Sequence, residues 1–155
     1  MSAKPISGPH VLTVHRVENI MAKVIMALVP SLLFGVVLFG WPVLYLALIT
    51  IISALVFEAI CLKIRGAKAL PYLYDGSALV TAMLVVMTLP PWAPWWIGVL
   101  GSGIAIILGK HVYGGLGQNL FNPAMLARVA LLVSFPIEMT SWVNVSPLFT
   151  GPGIG

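Results

Sequence analysis

Apolar runs separated by short polar or Pro/Gly breaks divide this chain into five segments. The first runs from about Val24 to Phe39 and carries Pro30, which predicts a kink. The second runs from about Pro42 to Leu62, and the short Gly40-Trp41 link makes the pair an antiparallel hairpin. A polar loop from Lys63 to Gly76 follows. The third segment, Ser77 to Leu89, is short and stops at Pro90-Pro91. The fourth, Trp95 to Leu108, holds Gly98, Gly101 and Gly103, which predict close helix approach. The fifth runs from Pro123 to about Phe135. Beyond it the residues to Gly155 are rich in Gly, Pro, Ser and Thr and read as an unstructured tail.

A spanning helix needs about 20 apolar residues. The third and fifth segments fall short of that, and each has a polar or glycine-containing entry. Short interrupted helices of this kind point to a site near the membrane midplane, where helix N-termini offer free amides and partial positive charge. Two thin or tilted helices with ordinary caps give the same pattern.

Composition agrees with the segmentation. Of 155 residues, 60% are hydrophobic and only 8% are charged, where soluble domains carry about 25%. Mean hydropathy is +1.07. The expected fold class is an all-α membrane protein, a multi-pass helical bundle with short half-helices. The division expected is an N-terminal segment at 1–19, a membrane domain at 20–142 and an outer-side tail at 143–155.

The basic residues then set the orientation. Lys4, Arg16, Lys23, Lys63, Arg65, Lys68 and Lys110 fall on one side if each segment crosses once. The opposite links lack Lys and Arg and gather Trp41, Trp92, Trp95, Trp96 and Trp142. The positive-inside rule and the aromatic belt therefore both predict a cytoplasmic N-terminus. The net charge of +4 is scattered rather than arranged as a stripe with interleaved aromatics, which excludes a nucleic-acid partner. Cys61 is the single cysteine, so neither an internal disulfide nor an iron–sulfur cluster held by this chain alone is available. No secretory signal pattern, phosphate loop, dinucleotide fingerprint, metal-ligand spacing or nucleophile–base arrangement appears. Redox chemistry, if present, belongs to a cofactor.

The candidate chemistry lies in Gly114-Gly115-Leu116-Gly117-Gln118-Asn119-Leu120-Phe121-Asn122-Pro123-Ala124-Met125. Unsatisfied amides in hydrocarbon cost several kcal/mol each (roughly), so this stretch must face protein, water or a ligand. Asn122 suits an N-cap and Pro123 the first helical position. Gln118, Asn119 and Asn122 both donate and accept and could read a heteroaromatic edge such as a flavin ring. Equally, Asn122 could only cap the helix and Asn119 only shape the turn. Arg128 lies inside the fifth segment, where an arginine faces a cavity or a partner. A phosphate, a carboxylate, the carbonyl end of a half-helix or an acidic residue of another subunit would serve. Asp75 reads as a cap of the third segment or a cation or proton ligand. Glu58 either snorkels, pairs with a basic loop residue or serves ion conduction. Lys110-His111 is expected in the headgroup region, with a redox-linked proton role open to His111. Thr81 and Thr88 either line a cavity or bond back to their own helix.

That glycine- and amide-rich phrase, together with Asp75-Gly76-Ser77-Ala78-Leu79 running to Leu89-Pro90-Pro91, resembles one membrane family. It contains the D subunit of the Rnf electron-transport complex and the B subunit of the sodium-pumping NADH:quinone reductase. Ser134-Phe135-Pro136 and Met139-Thr140-Ser141-Trp142 are closer to the Rnf wording, and the likeness covers about Arg16 to Trp142. The resemblance implies one inverted repeat of a urea-transporter-like fold in a bacterial inner membrane. It implies a flavin-carrying member of a complex that moves electrons between ferredoxin and NAD and couples them to sodium or proton translocation. Partners would be the A, B, C, E and G subunits of the Rnf complex and the lipid bilayer. The family's Asn-x-x-Asn-Pro asparagines lie near a noncovalent riboflavin and map here to Asn119 and Asn122, with Gln118 and Arg128 as further cofactor-binding candidates. The family's covalent FMN is joined to a threonine in a Ser/Thr-Gly-Ala-Thr sequence. These 155 residues contain none; Phe149-Thr150-Gly151-Pro152 lacks the pattern. The FMN-bearing threonine is therefore expected beyond residue 155, in a longer chain of which this is the N-terminal portion. The runner-up function is a channel or carrier half for a small polar solute or ion, or a structural membrane subunit.

Overall fold

In a computed structural model, residues 17–66, 74–115 and 118–145 are described. Lys4, Arg16, Lys68 and the Leu116-Gly117 step of the motif lie outside them, as do residues 146–155. The described chain is helical. Helix α1 spans Val17–Phe39, α2 spans Trp41–Ile64, and α3 spans Ser77–Val86. Helix α4 spans Trp95–Gly103 and runs directly into a π-helix at Ile104–His111. Helix α5 spans Pro123–Ser134, and a final turn, α6, spans Pro136–Thr140.

All five apolar segments are helices, and α1 and α2 are both long and apolar enough to cross a membrane. At 1.5 Å per residue α3 is about 15 Å long and α5 about 18 Å, roughly half of a ~30 Å hydrocarbon core. Three details differ from the sequence reading. Helix α1 starts seven residues before Val24 and has Pro30 inside it. The fourth segment changes from α to π winding half-way along. The stretch after Phe135 is not wholly irregular, because Pro136 at the first helical position starts α6.

Helix α2 is the centre of the bundle. Its buried positions Val43, Ala47, Thr50, Ala54, Glu58 and Leu62 recur every three to four residues and form one stripe. Helices α3 and α4 pack on that stripe. Gly98 has no room for a side chain: a Cβ there would collide with Thr50 Oγ1. At Gly101 a Cβ would meet Leu131 and Val85 at 3.0 and 3.2 Å, and at Gly103 it would meet Phe57 at 3.3 Å. All three glycines thus serve close approach. A fourth, Gly109, lies just past the expected end of that segment, yet a Cβ there would stand 2.8 Å from Pro123 Cα. Ser53 and Ser102 hydroxyls meet at 2.6 Å across the α2–α4 seam. The main apolar core joins Leu46, Val85, Ile97, Ala105, Ala127 and Leu131. Phe135 closes it at one end, edge-on to Trp96 with ring centroids 5.0 Å apart.

Candidate functional site

The charged residues buried in this bundle meet at one place. Glu58 ends the polar part of the α2 stripe and is 1% exposed; Lys110, in the last turn of the π-helix, is 3% exposed. Lys110 Nζ donates to Glu58 Oε1 at 2.7 Å and to Ser77 Oγ at 2.7 Å. The Ser77 hydroxyl in turn donates to Asp75 Oδ1 at 2.6 Å, and the Ser77 amide donates to the same oxygen at 2.8 Å. The chain Glu58–Lys110–Ser77–Asp75 therefore ties α2, the π-helix and the N-terminus of α3 together. Asp75 acts as the cap expected of it, one residue early: Gly76, at φ +75°, occupies the formal cap position and makes no side-chain bond. A Cβ on Gly76 would also press on Ile25 and Met21 of α1.

Lys110 and His111 are enclosed by the bundle rather than open to its surroundings. Both are drawn inward by Glu58, because a buried carboxylate without a partner is far costlier than ordering a lysine beside it. Of the roles considered for Glu58, pairing is the one observed, with a helix residue rather than a loop residue. The π-helix is what permits it. Its i→i+5 pattern, continued in Val112 N to Ile107 O and Gly115 N to Lys110 O, turns less per residue than an α-helix. Two successive residues can then address one carboxylate. His111 Nε2 stands 3.0 Å from Glu58 Oε2, close but out of line for a hydrogen bond.

Arg65, at the end of α2, covers the outside of this cluster. Its Nη2 donates to Gly114 O at 2.9 Å, and its Nη1 lies 3.4 Å from His111 Nδ1. The Gly-Gly step of the motif accommodates it: Gly114 and Gly115 have φ of +117° and +105°. Side chains rarely adopt that backbone, and a Cβ on Gly115 would meet Arg65 Nη1 at 3.3 Å.

The amide-rich entry to α5 is adjacent, since Gly109 packs directly on Pro123. Asn122 Oδ1 accepts from Ala124 N at 3.0 Å, so Asn122 is the N-cap of α5. Gln118 and Asn122 are exposed, whereas Asn119 is partly buried. Asn119 Oδ1 is fully enclosed and has no hydrogen-bond partner among the described residues. A buried acceptor left empty asks for a donor, and a ring N–H of a flavin has that chemistry. The enclosed Asn119 Oδ1 is the feature that fits the cofactor the resemblance implies. Arg128 is elsewhere. Its Nη1 donates to Thr88 O at 3.3 Å, so it holds the carbonyl end of the short helix α3, one of the partners considered for it. Thr81 and Thr88 bond back to Ser77 O and Val85 O. Among the described residues no cluster of His, Cys, Asp and Glu is arranged to hold a metal ion.

With this geometry in place, comparison with known proteins decides the family. The NQR2, RnfD, RnfE family matches residues 5–151. The chain belongs to that family. It is 53% identical over 148 residues to the D subunit of the ion-translocating oxidoreductase complex of Rhodobacter capsulatus, covering 96% of this chain and 41% of that protein. The D subunit of the same complex in Halorhodospira halophila is 53% identical over 143 residues, covering 92% of this chain and 40% of the relative. That of Stutzerimonas stutzeri is 56% identical over 134 residues, covering 86% and 38%. The chain thus spans about two fifths of the length of these curated relatives. Membership makes it a membrane protein of an electron- and ion-transport family.

Proposed function

We propose that this chain forms the membrane part of the D subunit in an ion-translocating ferredoxin:NAD+ oxidoreductase complex, and that it carries a noncovalent riboflavin at the entry of α5. Family membership supports the first half of this reading, and the buried Asn119 Oδ1, without a partner among the described residues, supports the second. Asn119 would accept from the ring, the amide group of Asn122 left over from capping would donate, and Gln118 would stand at the rim. Arg128 contributes by holding the end of α3 rather than by reaching this loop. When bound, the flavin supplies electron transfer, which no side chain here offers. The protein's own part is to orient the ring between amides and to keep lipid and bulk water from it.

The same reading puts the covalent FMN on a threonine of the longer chain and couples electron flow to Na+ or H+ movement. The N-terminus then faces the cytoplasm of a bacterial cell, with the inner-membrane and peripheral subunits of the complex as partners. The fold is read as one inverted repeat of a urea-transporter-like bundle, because α3 and α5 are half-length helices with polar entries.

The test uses the full-length protein purified with its complex. Asn119→Ala combined with Asn122→Ser, which keeps the cap, is expected to lose most of the riboflavin released on denaturation, with Tm no lower than that of riboflavin-stripped wild type. Undiminished riboflavin in that variant would sink the site assignment. Wild-type complex free of riboflavin would transfer the case to a carrier or a structural subunit.

A further inference from the structure

We infer that His111 is the proton-entry residue of the buried Glu58–Lys110–Ser77–Asp75 network, so that this end of the bundle is a proton-binding site with a single imidazole as its door. The inference does not depend on a bound flavin. It rests on where the two ring nitrogens lie.

One faces out and the other in. Nδ1 lies 3.4 Å from the guanidinium of Arg65, an exposed residue. Arginine can only donate, so Nδ1 is the acceptor and the ring proton resides on Nε2. Nε2 points to the interior and stands 3.0 Å from Glu58 Oε2. Both of these atoms are enclosed, and neither has an aligned hydrogen bond among the described residues. They are the two buried polar atoms of the network that its other contacts leave open. Atoms 3.0 Å apart leave no room for a bridging water, so transfer is direct once a small turn of the imidazole brings Nε2–H into line with Oε2.

The step balances without any further reactant. A proton from water at the Arg65 face binds Nδ1, which releases the Arg65 contact while Arg65 stays on Gly114 O. The Nε2 proton passes to Glu58 Oε2. The ring is left neutral with its proton on Nδ1, and Glu58 becomes a neutral acid. Lys110 then loses its charged partner on Oε1 and keeps Ser77 Oγ, behind which stands the Asp75 carboxylate. One proton taken up at the Arg65 face thereby shifts the Lys110 charge toward α3. The charged and titratable groups facing this path are Arg65, Glu58 and Cys61 of α2, Lys110 beside His111, and Asp75 before α3. The π-helix, which sets Lys110 and His111 side by side on one carboxylate, is the element that makes the path possible.

The experiment is time-resolved infrared spectroscopy of the full-length protein in lipid nanodiscs after release of a caged proton. The carboxylic-acid stretch abolished by Glu58→Gln reports Glu58. His111→Gln, which keeps a polar side chain that cannot shuttle, is expected to slow the rise of that band by roughly tenfold or more, and added imidazole is expected to restore it. Arg65→Gln, which leaves the buried pair intact, is expected to speed the rise by opening Nδ1 to water, and it serves as the probe if the His111 variant does not fold. An unchanged rate in His111→Gln, an unchanged rate in Arg65→Gln, or the absence of any band that Glu58→Gln removes overturns the proposal.

Discussion

The network at Glu58 and the loop at Asn119 are neighbours of opposite character. Both are polar groups in an apolar bundle, and both lie against the Gly109–Pro123 contact. At Glu58 the charge is paired inside the chain: Lys110 donates to one carboxylate oxygen and to Ser77, which donates on to Asp75, while Glu58 Oε2 and His111 Nε2 stay without an aligned partner among the described residues. At Asn119 there is no charge to pair: one enclosed acceptor has no donor among the described residues, while Gln118 and Asn122 are exposed. A paired charge holds elements of the fold together, whereas an enclosed neutral acceptor does not.

Breaking the Glu58–Lys110 pair has the largest expected effect. Lys110→Met leaves Glu58 buried and alone, and should destabilise the protein by about 3–5 kcal/mol. Glu58→Leu together with Lys110→Met should recover most of that loss, because the remaining groups no longer include an unpaired charge. Thermal unfolding in nanodiscs of both single variants and the double variant measures the coupling, and additive losses would contradict a direct pair.

Next come the contacts that bring the two regions together. Gly109→Ala drives a methyl into the backbone of Pro123, which has no freedom to move aside. A loss of about 1–3 kcal/mol is expected. Gly98→Ala should cost a similar amount, but Thr50→Ala should rescue it, since the obstructing atom is the Thr50 hydroxyl. No partner substitution of that kind exists for Gly109. Tm of the three variants reads this difference directly, and a rescue that fails would mean the α2–α4 seam is looser than described.

Arg128→Leu removes the donor at the carbonyl end of α3. Interhelical polar contacts in membranes contribute about 0.6 kcal/mol on average and up to about 2, so a small loss of Tm is expected. Wild-type stability would place the weight of Arg128 outside this contact.

The smallest effect sharpens the contrast within the Asn119 loop. Asn122→Ala should cost about 1 kcal/mol as a lost cap. In protein stripped of riboflavin, Asn119→Ala should cost nothing measurable, or raise stability slightly, because it removes an enclosed acceptor with no partner among the described residues. Comparable losses at both positions would mean that Asn119, too, is structural.

Much of this was legible in the chain. The five helices, the close approach at Gly98, Gly101 and Gly103, the Asn122 cap and the bonding of Thr81 and Thr88 to their own helices follow from local rules: apolar run length, small-residue spacing and capping chemistry act over a few residues. Glu58 was legible in part, because it continues the Thr50–Ala54 stripe of small buried positions along α2. Lys110 was not. On an α-helical frame Gly98, Gly101, Ala105 and Gly109 mark the packed face, and Lys110 falls beside it, next to a loop and at the end of an apolar segment where lysines reach for water. The π winding sets Lys110 and His111 side by side toward Glu58, and the carboxylate that receives them lies 52 residues away in sequence. Local pattern determined which stretches are helices and where they start. The pairing of buried charges was decided by tertiary structure, because the cost of an unpaired charge depends on what the rest of the fold places beside it.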